Sequence, residues 1–524
     1  MNRAEARHLD RRDLLRLAAA TAVAGSLPRT ARSQPRLRED PFAAGIASGS
    51  PTDRSVVLWT RLLGAQIPSG PVTVEWEIAD DERFTRIVQR GETQAVPQLA
   101  HSVHVEVQGL AADRWYAYRF RTGGWTSAAG RTRTFPAPDA HVQRLRLAYA
   151  SCQRWEHGFY AAWRHLRADD PDVVVFLGDY IYEYPGAANA VRTLPDGWVT
   201  DLAGYRARYA LHKSDADLQA MHQACPWLFT WDDHEVQNDY AGEQEGNAGP
   251  AVPDFRRRRA AAYQAWYEHT PVPASVLTRA LDGLATGQGL RVYGERRFGR
   301  LAHLLLLDGR QYRSPQACTR GGRFGSSTVN PLDCAALADP ARTMFGFEQE
   351  RWLASRLADG GAAWTVLNQA TLFGARDLVP GPGTLLWNDG WDGYPAARQR
   401  LVGALRETRA ANPVILGGDV HENWVGHVKA DYARPESANV GVEFCGTSIT
   451  SRTAEPEHLR NRWVDNPHFV YAEAMHRGYG LAEFTPGRLE VALRVVDEVT
   501  KRDARVATDA RFVVEAGRPE VQRA

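Results

Sequence analysis

The chain has 524 residues, enough for about three domains or one large domain with an appendage. Hydrophobic residues make up 44% and charged residues 24%, a composition that excludes general disorder. The 63 Lys and Arg against 62 Asp and Glu leave a net charge of +1, which gives no electrostatic case for a nucleic-acid partner, and five Cys exclude a disulfide scaffold.

At the N-terminus, Arg11-Arg12 and Leu14-Leu15-Arg16 precede a short apolar run ending near Gly25. The run is too short to cross a bilayer and suits a signal peptide over 1–33 of the twin-arginine kind, cleaved near Ala31-Arg32-Ser33. The other reading is an amphipathic helix. The signal implies the twin-arginine export machinery as a partner and a periplasmic or secreted mature chain, where disulfides are allowed. No window approaches 18 apolar residues without charge, so no transmembrane segment is expected.

Residues 41–137 read as all-β. Short strand patterns at 55–60, 72–78, 103–107 and 115–120 are separated by turn signals, the rhythm of a β-sandwich. The stretch 109–118 resembles a fibronectin type III-like domain, and its aromatics are expected in a core. Pro136-Ala-Pro138 marks a boundary.

Residues 144–515 read as one catalytic α/β domain. Apolar strands at 145–150, 172–177, 301–307, 364–368 and 413–419 alternate with helical stretches such as 159–167, 256–269 and 347–357. A hairpin pattern at 479–484 and 489–496 completes a sheet. Each buried strand delivers a polar residue at its C-terminal end, where active sites of such sheets gather.

Four of these strand ends carry metal-ligand types. Cys152 follows the first strand. Gly178-Asp179-x-x-Tyr182 offers a carboxylate with a phenol three positions on. Trp231-Asp232-Asp233-His234-Glu235 packs three carboxylates and an imidazole together, a costly repulsion unless a cation neutralises it. Gly418-Asp419-Val420-His421 places a carboxylate and an imidazole on one side of an extended segment. Each string alone has a bland reading as a turn, a cap or an inert thiol. Together they meet the needs of a dinuclear site, in which one carboxylate can bridge both metals.

A resemblance then comes into view. The strings Ala150-Ser-Cys-Gln153, Gly178-Asp-Tyr-Ile-Tyr-Glu183, Thr230-Trp-Asp-Asp-His-Glu-Val236, Leu307-Asp-Gly-Arg-Gln-Tyr-Arg313, Asn388-Asp-Gly-Trp-Asp-Gly-Tyr394, Gly417-Gly-Asp-Val-His421 and Phe444-Cys-Gly-Thr-Ser-Ile-Thr-Ser451 resemble the PhoD-like alkaline phosphatase/phosphodiesterase family, a branch of the calcineurin-like metallophosphoesterase superfamily. The likeness spans residues 41 to about 500. It implies a four-layer α-β-β-α core behind the fibronectin type III-like sandwich, and one Fe³⁺ with one or two Ca²⁺. Carried over residue by residue, Cys152, Asp179, Tyr182 and His421 would surround Fe³⁺, which suits thiolate, phenolate and imidazole. Asp179, Asp233, Asn368 and Asp419 would surround Ca²⁺, which suits oxygen donors. Asn238 and Asp239 are rivals on the calcium side.

The function implied is a secreted, metal-dependent alkaline phosphatase that serves phosphate scavenging. It would hydrolyse phosphate monoesters and also diesters through a metal-activated hydroxide. His234 would stabilise the transition state or protonate the leaving alkoxide, oriented by Asp232 and Glu235. Arg154 is the candidate phosphate contact. Arg310 and Arg313 are secondary candidates, and the run 256–259 is expected to form a solvated helix face. Cys318 and Cys334 could form a disulfide in the 314–345 segment, which would cover the site, with Cys225 and Cys445 as buried thiols. A monomer is expected. The alternatives are a phosphodiesterase or phospholipase D-type esterase with the same site, and an inactive secreted binding protein.

Overall fold

Runs of β-branched and aromatic residues build two large sheets in the computed structural model, which describes residues 36–187, 189–276, 290–319, 323–453 and 459–524. The twin-arginine reading of 1–33 lies outside the described residues. A ten-stranded sheet runs Gln522–Arg523, Val506–Glu515, Arg488–Val496, Arg477–Phe484, Leu145–Ala150, Val173–Phe176, Trp227–Phe229, Ile46–Gly49, Ser55–Arg61, Ser102–Gln108. A seven-stranded sheet runs Gly294–Phe298, Ala302–Leu306, Trp364–Asn368, Pro413–Gly417, Asn439–Cys445, Asn423–Lys429, Phe469–Glu473. Leu145–Ala150, Val173–Phe176 and Trp227–Phe229 are parallel, as are Ala302–Leu306, Trp364–Asn368, Pro413–Gly417 and Asn439–Cys445. Parallel pairing sends the C-terminal ends of each set to one edge of its sheet.

These strands are apolar on both faces because both faces are covered. One face of the ten-stranded sheet packs Ala148, Val174, Phe176 and Trp227 against Trp163, Tyr205, Met221 and Trp266. Those side chains come from helices Ala161–Ala168, Leu202–Lys213, Ala216–His222 and Phe255–His269. Asp201, Asp215 and Asp254 cap the last three by accepting from backbone N–H groups in their first turns. On the opposite face, Leu147, Tyr149, Val173 and Val175 share a core with Leu304, Val366, Val414 and Phe444 of the seven-stranded sheet. The other face of that second sheet sets Leu305, Leu367 and Ile415 against Leu353 and Leu401 of helices Gly346–Ala358 and Pro395–Glu407. Fully burying each such side chain stabilises the fold by about 1.5–3 kcal/mol.

The N-terminal region supplies two sheets. Ile46–Gly49, Ser55–Arg61 and Ser102–Gln108 continue the ten-stranded sheet, with Gly49 paired in parallel to Trp227. A second sheet of Val72–Ala79, Ile87–Ala95, Trp115–Thr122, Trp125–Thr126 and Gly130–Arg133 packs over them. Val74, Ile78, Tyr118 and Phe120 meet Ile46, Val56, Leu58 and Val105 in its core. Trp59 Nε1 donates to Glu268 O at 3.1 Å, and His104 Nε2 lies 3.0 Å from both Tyr267 O and Thr270 O.

One sequence expectation is corrected here, and one about the cysteines is met. The basic run is only half solvated: Arg256 and Arg257 are exposed, whereas Arg258 and Arg259 are buried. The helix is flanked on both sides, so Arg258 donates to Tyr205 Oη and Val199 O and Arg259 to Gly242 O. Cys318 and Cys334 form a disulfide, while Cys152, Cys225 and Cys445 are buried free thiols. Among the described residues, no helix is long and apolar enough to cross a membrane.

Candidate metal centre

The strand ends of the two sheets meet at one edge. Ser151 bridges Ser448, and Thr230 Oγ1 donates to Leu307 O at 2.7 Å, so each sheet braces the other where the acidic motifs begin. The chain turns sharply after each strand. Cys152, Asp179, Asp239, Asp419 and His421 all adopt left-handed backbone, with φ of 58°, 59°, 58°, 66° and 58°. Each such non-glycine residue costs on the order of 1 kcal/mol or more, and strain of this kind gathers where a site over-determines the backbone. Gly178, at φ 110°, leaves the space that Asp232 needs: a Cβ there would lie 2.5 Å from Asp232 N.

Three ligand groups result. Cys152, Asp179 and His421 offer ligand atoms within 4.8 Å of one another, as do Asp179, Asp233 and His234, and also Asp233, Asp239 and Asp389. Tyr182 joins the first group, because its hydroxyl donates to Asp179 Oδ2 at 2.9 Å and lies 3.2 Å from His421 Nε2. Ser451 Oγ supports that phenol from behind at 2.8 Å. His421 Nδ1 donates to Arg452 O at 2.9 Å, so the tautomer leaves the Nε2 lone pair facing the site. Asp179 belongs to two groups and is placed to bridge.

Asn368 and Asp419 fall in none of the three carboxylate, thiolate and imidazole groups. Asn368 ends a strand paired with Pro413–Gly417, which leads to Asp419. Asn368 Nδ2 donates to Leu305 O and Val366 O, while its Oδ1 is buried without a partner. Asp233 Oδ1 and Asp419 Oδ2 are orphaned in the same way. An unpaired buried oxygen costs roughly 1–3 kcal/mol or more, a cost that a hard cation bound to these oxygens would remove.

The electrostatics agree. Burial, then the Asp179 carboxylate, pushes the Cys152 thiol well above its ordinary range, so a thiolate there needs a cation beside it. Burial also raises Asp179 well above the usual carboxyl range; His234 relieves it and Asp233 reinforces it. Burial, Asp389 and Asp233 push Asp239 up to about 7. Burial would raise Asp233 too, but Arg310 and His234 bring it down to about 2. Burial would lower His234, yet the carboxylates of Asp179, Glu183 and Asp233 hold it well above 6.5.

The acids of the WDDHE string divide their labour differently from the sequence expectation. Neither Asp232 nor Glu235 orients His234. Glu183 does, with Oε2 2.8 Å from Nδ1. Glu235 instead accepts from the N–H groups of Asp179, Tyr180 and Asp232, stapling two turns together. Asp232 pairs with Arg310, which also lies 2.8 Å from Asp389 Oδ2. Arg310 and Arg313 are buried and committed to Asp389, so neither reaches outward to a phosphate. Arg154 stays partly exposed, paired with Glu156 and 4.7 Å above the Tyr184 ring. Of the two rivals, Asp239 joins an acidic group, while Asn238 Oδ1 accepts from Tyr184 Oη at 2.7 Å. Glu183 and Asp389 were overlooked as site residues, although both sit inside the strings GDYIYE and NDGWDGY.

The sequence profile of the family described as "PhoD-like phosphatase" matches residues 147–493, and that of "PhoD-like phosphatase, N-terminal domain" matches residues 28–136. "Alkaline phosphatase D" of Bacillus subtilis (strain 168) is 40% identical over 495 residues, covering 91% of this chain and 82% of that protein. A solved structure described as "Structure of PhoD" is similar at TM-score 0.86 and 39% identity, covering 94% of this chain and 93% of that one.

Proposed function

This chain belongs to the PhoD-like phosphatase family and is a hydrolase of the alkaline phosphatase type, and from that premise we propose that it cleaves phosphate monoesters and also diesters at an Fe³⁺/Ca²⁺ centre. The observation that carries the metals is the donor set. Cys152, Tyr182 and His421 converge with Asp179, which also meets Asp233, and Asp233, Asn368 and Asp419 each keep a buried oxygen without a hydrogen-bond partner. Soft and phenolic donors on one side would hold Fe³⁺, and carboxylate and amide oxygens on the other would hold Ca²⁺. When bound, the metals supply Lewis acidity to the phosphoryl oxygens and to the attacking water.

The chain's own residues do the rest. Glu183 holds the Nδ1 proton of His234, so Nε2 is the atom that would donate to the leaving oxygen. Tyr182 and Tyr184 pack on the ring at 4.1 and 5.1 Å between centroids and limit its rotation. Arg154 would contact a phosphoryl oxygen from the rim.

The finer architecture belongs to this reading. We assign residues 144–515 to a four-layer α-β-β-α catalytic domain, a reading supported by helices on the outer faces of two sheets that share a core. Residues 41–137 are assigned to a fibronectin type III-like domain. Support comes from its two-sheet core and from Tyr116, whose hydroxyl accepts from Ala111 N at 3.0 Å in the manner of a tyrosine corner. Export through the twin-arginine route, a role in phosphate scavenging and a monomeric state complete the proposal.

The test is hydrolysis of nitrophenyl phosphate at alkaline pH by the folded chain, before and after calcium chelation and with Ca²⁺ added back. Loss and recovery of turnover are expected. Indifference to chelation would sink the calcium assignment. Turnover on a bis-ester only would transfer the reading to a phosphodiesterase.

A further inference from the structure

The described residues between Arg313 and helix Gly346–Ala358 belong to none of the three ligand groups, yet their side chains reach the acidic group Asp233, Asp239 and Asp389. Gln316, 4% exposed, donates from Nε2 to Asp389 Oδ1 at 2.6 Å and to Asp239 O at 2.7 Å. Ser326 donates to Asp239 Oδ2 twice, from N at 3.0 Å and from Oγ at 2.7 Å. Asn388, the neighbour of Asp389, donates from Nδ2 to Ala317 O and accepts from Ser327 N, both at 2.6 Å. The short strand Thr328–Val329 pairs with Leu386–Trp387 just ahead of Asn388. The Cys318–Cys334 disulfide, with a sequence separation of 16, closes the segment that carries Ser326 and Ser327, and Gln316 stands two residues before it. Cys334 is buried with Ala317, Val329 and Leu337.

These donors are neutral. They orient the two carboxylates without adding charge: Asp389 is met by Arg310 at 2.8 Å and Arg313 at 3.3 Å, whereas among the described residues the side chain of Asp239 accepts only from the neutral Ser326, so the demand for a cation centres on Asp239 and its neighbour Asp233. Asp233 Oδ1, buried and unpartnered, belongs to the same group. Two carboxylates held close repel each other, and a chain free to relax would separate them. The bridge removes that freedom.

Resting on the calcium reading above, with which it shares the ligand Asp233, we propose that Gln316 and Ser326 are positioning residues for a second divalent cation at Asp233, Asp239 and Asp389, and that the Cys318–Cys334 disulfide presets them. The iron-side donors Cys152, Tyr182 and His421 hydrogen-bond to other segments and stand apart from this arrangement.

The test compares the full chain with the double variant Cys318→Ser/Cys334→Ser and with Gln316→Leu, which keeps the bridge. Calcium affinity is read by calorimetry and iron content by elemental analysis. Both variants are expected to weaken Ca²⁺ by about tenfold or more, the factor carried by groups that orient metal ligands, with iron content unchanged. Should the double variant fail to fold, folded wild-type chain reduced with a phosphine must show the same weakened Ca²⁺. Calcium affinity equal to wild type in the bridge-less chain and in Gln316→Leu overturns the inference alone. Loss of iron together with calcium overturns it as well, because a general collapse then explains the effect. A wild-type chain that binds no Ca²⁺ overturns the calcium reading and this inference with it.

Discussion

His234 is held by a partner 51 residues away in sequence, Glu183, and by the rings of Tyr182 and Tyr184. Replacing His234 by Ala is expected to lower kcat by about 10²–10⁴, the usual contribution of a positioned acid, with iron and calcium content unchanged. Metal analysis beside steady-state kinetics checks this; a loss of metal would mean that the imidazole is a ligand instead. Cys152→Ser makes the converse prediction: the fold is kept, as read by circular dichroism, and iron is lost, since a hydroxyl is a far weaker ligand than a thiolate. The residue types of the site were legible, because carboxylates, an imidazole and a thiol at the ends of apolar runs have few bland explanations together. The assignment of roles was not. Glu235 and Asp232 stand beside His234 in the chain but point to backbone N–H groups and to Arg310.

Helix Leu202–Lys213 ends on a buried lysine. Lys213 is 1% exposed, lies 3.2 Å from Tyr180 Oη and 4.4 Å above the Trp59 ring, and burial pushes its pKa down to about 7. The unfolded chain keeps that proton until about pH 10.4, so between pH 7 and 10 it binds more protons than the folded chain. The contribution of Lys213 to stability therefore rises with pH across that window. Relative to Lys213→Met, the wild type is expected to gain about 1.4 kcal/mol per pH unit, read from urea midpoints at pH 7, 8 and 9. A constant gap between the two proteins would show that the ammonium finds a charge partner. The turn after Val173–Phe176 gives a second prediction. Gly178→Ala is expected to cost at least about 1–3 kcal/mol from backbone strain alone and more from the contact with Asp232, as a lower denaturation midpoint. Strands such as Leu145–Ala150 and Pro413–Gly417 could be read from their apolar runs. Trp227–Phe229 has three residues and no measurable period, so it was not singled out, although it carries the WDDHE string.

The sheet that carries Asp179 and Asp233 does not stop at the N-terminal region but runs through Ile46–Gly49 into Ser55–Arg61 and Ser102–Gln108. Trp59, fully buried, donates to Glu268 O across that joint. Trp59→Ala is expected to cost about 3–5 kcal/mol by leaving a cavity there. Calorimetry of the whole chain should show one cooperative transition; two separate transitions would mean that the joint transmits nothing. The sequence by itself determined the parts: β-rich and α/β halves, strand ends bearing a thiol, carboxylates and imidazoles, and the order in which they occur. Those are properties of residue type and local period, which neighbours along the chain settle. Only the tertiary structure decided which acids accept from backbone N–H groups or pair with arginines, that Arg310 and Arg313 face inward, and that Ser326 of a disulfide-closed segment reaches Asp239 while Gln316 just before it reaches Asp389. The reason is that fields and hydrogen bonds act over a few ångströms in space, while the partners concerned lie roughly 50 to 90 residues apart along the chain.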